Sequence, residues 1–271
     1  MSNPAVSIVM PSYNAARFIL PSIASVVAQT YPDWELLIVD DASRDDTVAC
    51  VNAQYGHEPR VRVIPLPTNQ GAAVARNTAI EAARGRYIAF LDCDDQWLPH
   101  KLELQLQFME REGCAFSFTA YEKVGENNEV LSVVGVPALT TYKSMLKTSV
   151  VGCSTAMYDT RHFGKVLMPL VRMRQDFGLW LALLKRVPQG YGIQEVLVRY
   201  NVRSDSISSN KRRAALYTWR VYRQVEKLSL PTALWCFGNY AFRGFLRHRY
   251  PRVAQVLGFM HLPQKYRKSP R

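Results

Sequence analysis

The sequence predicts an α/β fold: a mostly parallel sheet flanked by helices, followed by a helical C-terminal extension. Three observations predict it. Short β-branched apolar runs alternate with helix-patterned stretches four times between Val6 and Leu91, the grammar of a parallel sheet covered on both faces. Three of those runs stop at polar clusters (Pro11-Ser-Tyr-Asn14, Asp40-Asp-Ala-Ser43 and Asp92-Cys-Asp-Asp95), at the strand ends where such sheets bind ligands. Beyond residue 199 the strand signals fade, and basic residues interleave with aromatics.

Taken in order, Val6 to Met10 reads as a buried strand, with Pro11 to Asn14 as its exit turn. Ile19, Ile23, Val26 and Val27 keep helical spacing, and Pro21 is tolerable in a first turn. Trp34 to Val39 is the second strand, and Ser43 with Asp46 predicts a capping box for a helix to about Tyr55. Val61 to Leu66 is the third strand. An alanine-rich helix opens at Asn69-Gln-Gly71 and runs to about Arg84, with Gly85 as its stop. Tyr87 to Leu91 is the fourth strand, and Leu98, Leu102, Leu106 and Met109 mark a helix ending near Gly113.

After that point the alternation changes. Ala115 to Tyr121 and Glu129 to Val134 read as strands around a Gly125 to Asn128 turn, and Val150 to Tyr158 as a further strand. Asp176 opens an amphipathic helix with Phe177, Trp180, Leu181 and Leu184 on one face. Glu195 to Tyr200 is the last strand and residues 204 to 213 a polar loop. From Ala214 the chain is helical, with a break at Pro231.

A chain of 271 residues that is 48% hydrophobic buries a sizeable core. Its five cysteines are odd in number and lack CxxC spacing, and no signal-peptide pattern precedes the first strand, which points to a reduced, cytoplasmic protein. No apolar stretch is long enough to span a bilayer. Residues 1 to 198 hold 18 Lys and Arg against 20 Asp and Glu, a net of −2; residues 199 to 271 hold 16 against 2, a net of +14. A basic, aromatic tail suits an anionic membrane surface or a nucleic acid, or is simply a solvated helical face. The five histidines form no HExxH spacing, and Gly71 sits in neither a GxGxxG nor a Walker A pattern, so zinc-protease, dinucleotide and P-loop chemistry lack their fingerprints.

Asp92, Asp94 and Asp95 put three like charges within four residues at the end of a buried strand. Carboxylates so placed repel one another unless a hard divalent cation with a phosphate-bearing ligand, or strong hydrogen bonds, offset the repulsion. Helix capping accounts for one of them, not three. Tyr13 and Asp41, at neighbouring strand ends, offer a face for a nucleobase to stack on and an acceptor for an imide N–H. Taken singly, Tyr13 is equally a half-buried core ring and Asp41 a helix cap. Arg76 and Asn77 either meet a pyrophosphate or lie on a helix surface.

The runs VSIVMPSYN, SIASVVAQTYPDWELLIVDDASRDDT and NQGAAVARNTAIEAARGRYIAFLDCDD resemble, in order and spacing, the N-terminal half of family 2 glycosyltransferases, inverting enzymes with the GT-A fold, over about residues 5 to 110. The resemblance implies that Pro11 and Tyr13 line the base, with Asn14 beside them. It implies that Asp41 accepts from the base, that Asp92 lies against ribose or metal, and that Asp94 is the principal ligand of Mg²⁺ or Mn²⁺. It also implies that Asp176 is the general base, although Gln175 stands where the family commonly has Glu. Arg203 stands in a loop where some members supply His, and is expected to meet diphosphate charge.

So read, residues 1–110 form a nucleotide-sugar-binding half, 111–213 an acceptor-binding half, and 214–271 a basic aromatic helical extension. The implied activity is metal-dependent, inverting transfer of a sugar from a nucleotide donor, UDP-linked, to a hydroxyl of a glycan or lipid-linked acceptor in surface-polysaccharide synthesis. The implied setting is the cytoplasmic face of a membrane, with no nucleic-acid partner. Two alternatives stand beside it: a sugar-nucleotide nucleotidyltransferase, against which the absence of a Gly-rich basic loop after the first strand argues, and a nucleic-acid-binding module using the basic tail, which leaves the three polar strand ends unexplained.

Overall fold

In a computed structural model, which describes residues 3–202 and 211–263, the first four strands are β1 (Val6–Ser12), β2 (Trp34–Asp40), β3 (Val61–Pro65) and β4 (Tyr87–Phe90). They pair in parallel in the order β3-β2-β1-β4. Intervening helices are α1 (Ile19–Val27), α2 (Thr47–Tyr55) and α3 (Ala72–Ala82), and α4 (Lys101–Arg111) follows. The strands' period of two sorts the core into two faces. Val9, Leu37, Val39, Ile88 and Phe90 pack with α3, and Ile8, Met10, Leu36, Ile38 and Ala89 pack with α1 and α4.

The sheet continues with β5 (Gln96–Trp97), β6 (Phe116–Val124), β7 (Val130–Val134), β8 (Leu139–Thr140), β9 (Met157–Asp159) and β10 (Gly190–Asn201). Antiparallel β9 joins β4 to β6, and β10 lies parallel to β6. Helix α5 (Tyr142–Lys147) carries a Thr141/Ser144 capping box, and short α6 (Thr160–Phe163) follows β9. Helix α7 (Gln175–Leu184) buries Trp180, which meets Phe90 edge-on and stacks on Phe116.

Several local expectations give way to tertiary contacts. Ser43 does not cap α2; its hydroxyl donates to Asp40 (2.5 Å), and the cap position falls to Asp46. Helix α3 ends at Ala82, and Gly85 is needed for close approach, since a Cβ there would lie 2.5 Å from the Ser7 nitrogen. Only the end of the 150–158 run is strand, because Cys153–Thr155 turns as a 3₁₀ helix.

The C-terminal part comprises α8 (Lys211–Arg220), a π turn (Val221–Val225), α9 (Leu230–Arg249) and α10 (Pro251–Val256). Pro231 sits in the first turn of α9, where no N–H is missed, so the break precedes it. Val221, Tyr222, Ala233 and Cys236 join the core shared with α3 and α7. No helix among the described residues is long and apolar enough to cross a membrane.

One core residue departs from the apolar rule. Lys101 is fully buried, and its Nζ has no hydrogen-bond partner among the described residues. It sits 3.8 Å from the centre of the Trp97 ring. The ring face favours an ammonium, but burial dominates and pushes the pKa well down. Since the unfolded chain binds the proton more readily, this residue's contribution to stability is greatest above its ordinary value of 10.5 and falls as pH drops toward the folded value. Lys101→Met should raise the unfolding free energy at pH 7 by about 1–3 kcal/mol. Urea melts between pH 7 and 9 should show a shallower pH slope than the wild type.

Candidate active site

The carboxyl ends of β1, β2 and β4 lie side by side, since Ser12 is in register with Asp40 and Val9 with Phe90. At the end of β2, Asp40 accepts from the Ser12 and Ser43 hydroxyls and the Ser43 N–H. Asp41 is buried and, rather than capping α2, accepts from the N–H groups of Gln70 (2.6 Å) and Gly71 (2.7 Å). Each carboxylate oxygen keeps a further lone pair. Gly71 reaches the required backbone with φ of 92°, a region that favours glycine.

Asp41 N–H donates to the Ser12 carbonyl (2.8 Å), which brings Asp41 beside Tyr13. Tyr13 is 46% exposed and presents a ring to solvent, whereas Pro11 is covered within β1 opposite Val39. Asn14 adopts φ of 49°; its N–H donates to Ser43 Oγ and its Oδ1 accepts from Arg44 N–H, so its side chain fastens the two loops together.

Beyond β4 the three carboxylates part company. Asp92 pairs with Arg76 of α3 (2.5 Å), and its N–H donates to Ser154 Oγ. Arg76 is 7% exposed, so burial opposes its charge, but Asp92, with Cys153 and Asp176 in the same sense, outweighs that and raises its pKa. Asp94 is half-buried, and its backbone carbonyl accepts from the Asn201 side chain at the end of β10. Asp95 is fully buried and accepts from Ser154 Oγ (2.5 Å) and Asn201 N–H (3.1 Å). Burial first, then the charges of Asp92 and Asp94, push its pKa well up. Asp95 thus ties the 3₁₀ turn to β10 and does not cap α4, whose cap position is His100.

Asp176 occupies the first turn of α7, and Arg174 holds the cap position with φ of 65°. Asp176 is half-buried and has no hydrogen-bond partner among the described residues, so it is not the ordinary cap that its sequence position allows. Its charge is felt by Arg76 and Cys153, and through them it shares one field with Asp92. Asn77 is not a free helix-surface group; it exchanges two hydrogen bonds with the Met168 backbone and anchors the approach to α7. Arg203 lies outside the described residues.

Among the described residues no three His, Cys, Asp or Glu side chains converge as a ready-made metal cage. Asp92 and Asp94 supply hard oxygens, and Arg76 engages only Oδ1 of Asp92. That donor set fits an ion such as Mg²⁺ or Mn²⁺ completed by ligand phosphate and water. Sequence reasoning missed Ser154, Asn201 and Arg174, which lie 59, 106 and 66 residues from the partners they position, and no local pattern signals such pairings.

The model of the family described as glycosyl transferase family 2 matches residues 7–163. A protein of Bacillus subtilis (strain 168), TuaG, named provisionally as a teichuronic acid biosynthesis glycosyltransferase, is 46% identical over 88% of this chain and 95% of its own. The Escherichia coli protein WfgD, named UDP-Glc:alpha-D-GlcNAc-diphosphoundecaprenol beta-1,3-glucosyltransferase, is 35% identical over 92% of this chain and 97% of its own. Among solved structures, S. aureus TarS 1-349 in complex with UDP-GlcNAc superposes with a TM-score of 0.68 at 18% identity, over 90% of this chain and 74% of that one. Mannosyltransferase PcManGT from Pyrobaculum calidifontis, in complex with GDP-Man and Mn²⁺, gives 0.66 at 17%, over 95% and 80%.

Removing Arg76 would strand Asp92 without its counter-charge. Arg76→Ala should cost about 3–5 kcal/mol, read as a lower urea midpoint with an unchanged m-value. A change under 1 kcal/mol would mean that the pair contributes nothing to the fold.

Proposed function

The chain belongs to glycosyl transferase family 2 and has the GT-A fold, and from that premise we propose that it transfers a sugar from a UDP-linked donor, with inversion, to a hydroxyl of a lipid-linked glycan acceptor. Membership in an enzyme family sets aside the nucleic-acid-binding and nucleotidyltransferase alternatives. One observation carries the reading: Asp92 and Asp94 follow β4, and the buried Arg76, paired with Asp92, also feels the charge of Asp176 in the first turn of α7. Carboxylates suited to a metal–diphosphate group and a half-buried carboxylate suited to a proton thus share one field.

In this reading the base stacks on Tyr13, beside Pro11 and Asn14, and donates its imide N–H to a remaining lone pair of Asp41. Asp94, helped by Asp92, would hold Mg²⁺ or Mn²⁺, which when bound would take up charge growing on the departing diphosphate. Arg76 fixes Asp92 and lowers the repulsion between it and Asp94. Asp176 takes the proton of the acceptor hydroxyl as that oxygen attacks the face opposite the leaving group, so no covalent sugar intermediate is needed. Arg203 is assigned to diphosphate charge on the strength of its position in sequence alone.

The names of TuaG and WfgD, and of TarS with UDP-GlcNAc, favour surface-glycan synthesis and a UDP donor. The outer face of α9 supports attachment to an anionic membrane, with the enzyme on its cytoplasmic side. Leu234, Trp235, Phe242 and Phe245 are all more than half exposed on a segment with a strongly basic balance.

Three measurements test this reading. In a thermal-shift panel of UDP-, GDP- and dTDP-sugars with Mn²⁺, the UDP-sugars should stabilise most, and no stabilisation by any nucleotide defeats the reading. Asp176→Asn should then keep the UDP shift while losing roughly 10²- to 10⁴-fold in turnover; wild-type turnover would remove it from the base role. For the membrane, Trp235→Ser with Phe242→Ser should weaken binding to phosphatidylglycerol vesicles by about tenfold or more. Raising salt to 1 M should weaken wild-type binding as well. Unchanged partition in both would exclude α9 as the contact.

A further inference from the structure

A second cleft, of about 480 Å³, opens at the N-terminal end of α7, between Arg174 on that side and α8 and α9 on the other. Its polar lining is Arg174, Tyr240, Arg247 and His248; its floor is small and apolar, with Ala241 and Gly244 from α9. Arg174 donates to the Tyr240 hydroxyl (2.8 Å), which fixes α9 against the first turn of α7. Behind the cleft Arg243 stacks on Phe259, and its buried Nε has no hydrogen-bond partner among the described residues.

Among the described residues the cleft's lining holds no acid. The charges of Arg174 and Arg243 both act on Arg247, and none of the three forms an ion pair with a carboxylate among the described residues. Burial pushes the Arg247 pKa down; Tyr240 and Tyr121 oppose that shift, and the like charges of Arg243 and Arg174 add to it, so an anion held beside them offsets their repulsion. Its place narrows the choice of anion. Arg174 is two residues from Asp176, so an anion held here lies within reach of a molecule whose hydroxyl meets that carboxylate. At 3.6 residues per turn, positions 237, 240, 244 and 248 share one face of α9. That face adjoins the exposed stripe of Leu234, Phe242 and Phe245 at Ala241. Charge at one end and apolar surface at the other match an anionic head on a hydrocarbon tail.

We propose that Arg174 and Arg247, backed by Arg243, bind the diphosphate of a lipid-linked acceptor, with the lipid leaving along the outer face of α9. The proposal rests on the reading of the enzyme as a transferase to such an acceptor, and it names the site. A diphosphate offers several acceptor oxygens to the planar guanidinium forks. A bulk anionic headgroup shares the phosphate chemistry, so the test separates the two.

The probes are farnesyl diphosphate, farnesol and phosphatidylglycerol vesicles, with the full-length protein in saturating UDP and Mn²⁺ so that the donor site is occupied. By calorimetry, farnesyl diphosphate should bind about tenfold or more tightly than farnesol. Arg247→Gln should lose roughly 10- to 100-fold of that affinity, and Arg247→Lys should recover part of it. The UDP-induced thermal shift should stay as in the wild type, which shows an intact fold. Without ligand, Arg247→Gln should melt no lower than the wild type, because it removes a repelled cation. Farnesol binding as tightly as the diphosphate, an Arg247→Gln affinity equal to the wild type, or a melting point that falls without ligand would each overturn the proposal. So would displacement of the diphosphate by vesicles at equal accessible lipid. If UDP fails to stabilise the wild type, the donor reading falls, while the Arg247 comparison with farnesyl diphosphate still decides this site.

Discussion

The site depends on a guanidinium buried where it has no business being charged unless a carboxylate meets it. Arg76 comes from α3 to the end of β4 and finds Asp92. Truncating either partner leaves the other stranded in a poorly solvated place, so the pair locks the helix to the strand end. The same helix is held twice more. Asp41 takes the N–H groups of Gln70 and Gly71 at its start, and Asn77 grips the Met168 backbone one residue beyond Arg76. Through α3, then, the end of β2, the end of β4 and the approach to α7 are set relative to one another. Those are the elements that carry Asp41, Asp92 and Asp176.

That dependence explains what could be read from the sequence. Buried parallel strands are continuous apolar runs, so β1 to β4 announce themselves, and their polar exits announce the ligand-facing edge. Strand β5 has no such signal: two residues, Gln96 and Trp97, are strand only because Val198 and Arg199 lie opposite. The 3₁₀ turn at Cys153–Thr155 likewise follows from Ser154 meeting Asp95 and the Asp92 backbone, 59 and 62 residues away. Ser43 shows the same physics in reverse. Its pattern suits a helix cap, but Asp40 lies close enough to take the hydroxyl first. The type of each acidic residue was legible, while its partner was not.

The C-terminal helices are bound to the rest by packing on one side and remain apolar on the other. Tyr222, Val221 and Cys236 enter the same core as Phe177 and Trp180, so α8 and α9 are structurally continuous with the sheet's helical layer. A helix that only completed a soluble core would carry polar groups outward. Instead Trp235 is 66% exposed, along with Phe242 and Phe245. Phe245 meets Tyr250 edge-on, yet all three rings keep more than half of their surface exposed.

Charge placement has its own logic. Nearly all the excess cation sits after residue 199, although the acids that a phosphate-handling site must balance lie before it. Had more arginines lined the ends of β2 and β4, they would have done what Arg76 does, closing ion pairs onto carboxylates. Asp94 and Asp176 would then be quenched in the roles proposed for them, metal ligand and proton acceptor. Putting Arg243 and Arg247 on α9 groups their charges with that of Arg174 at the start of α7, and neither forms an ion pair with a carboxylate among the described residues. The cations stay available to an incoming anion because the fold holds them one helix away from the acids.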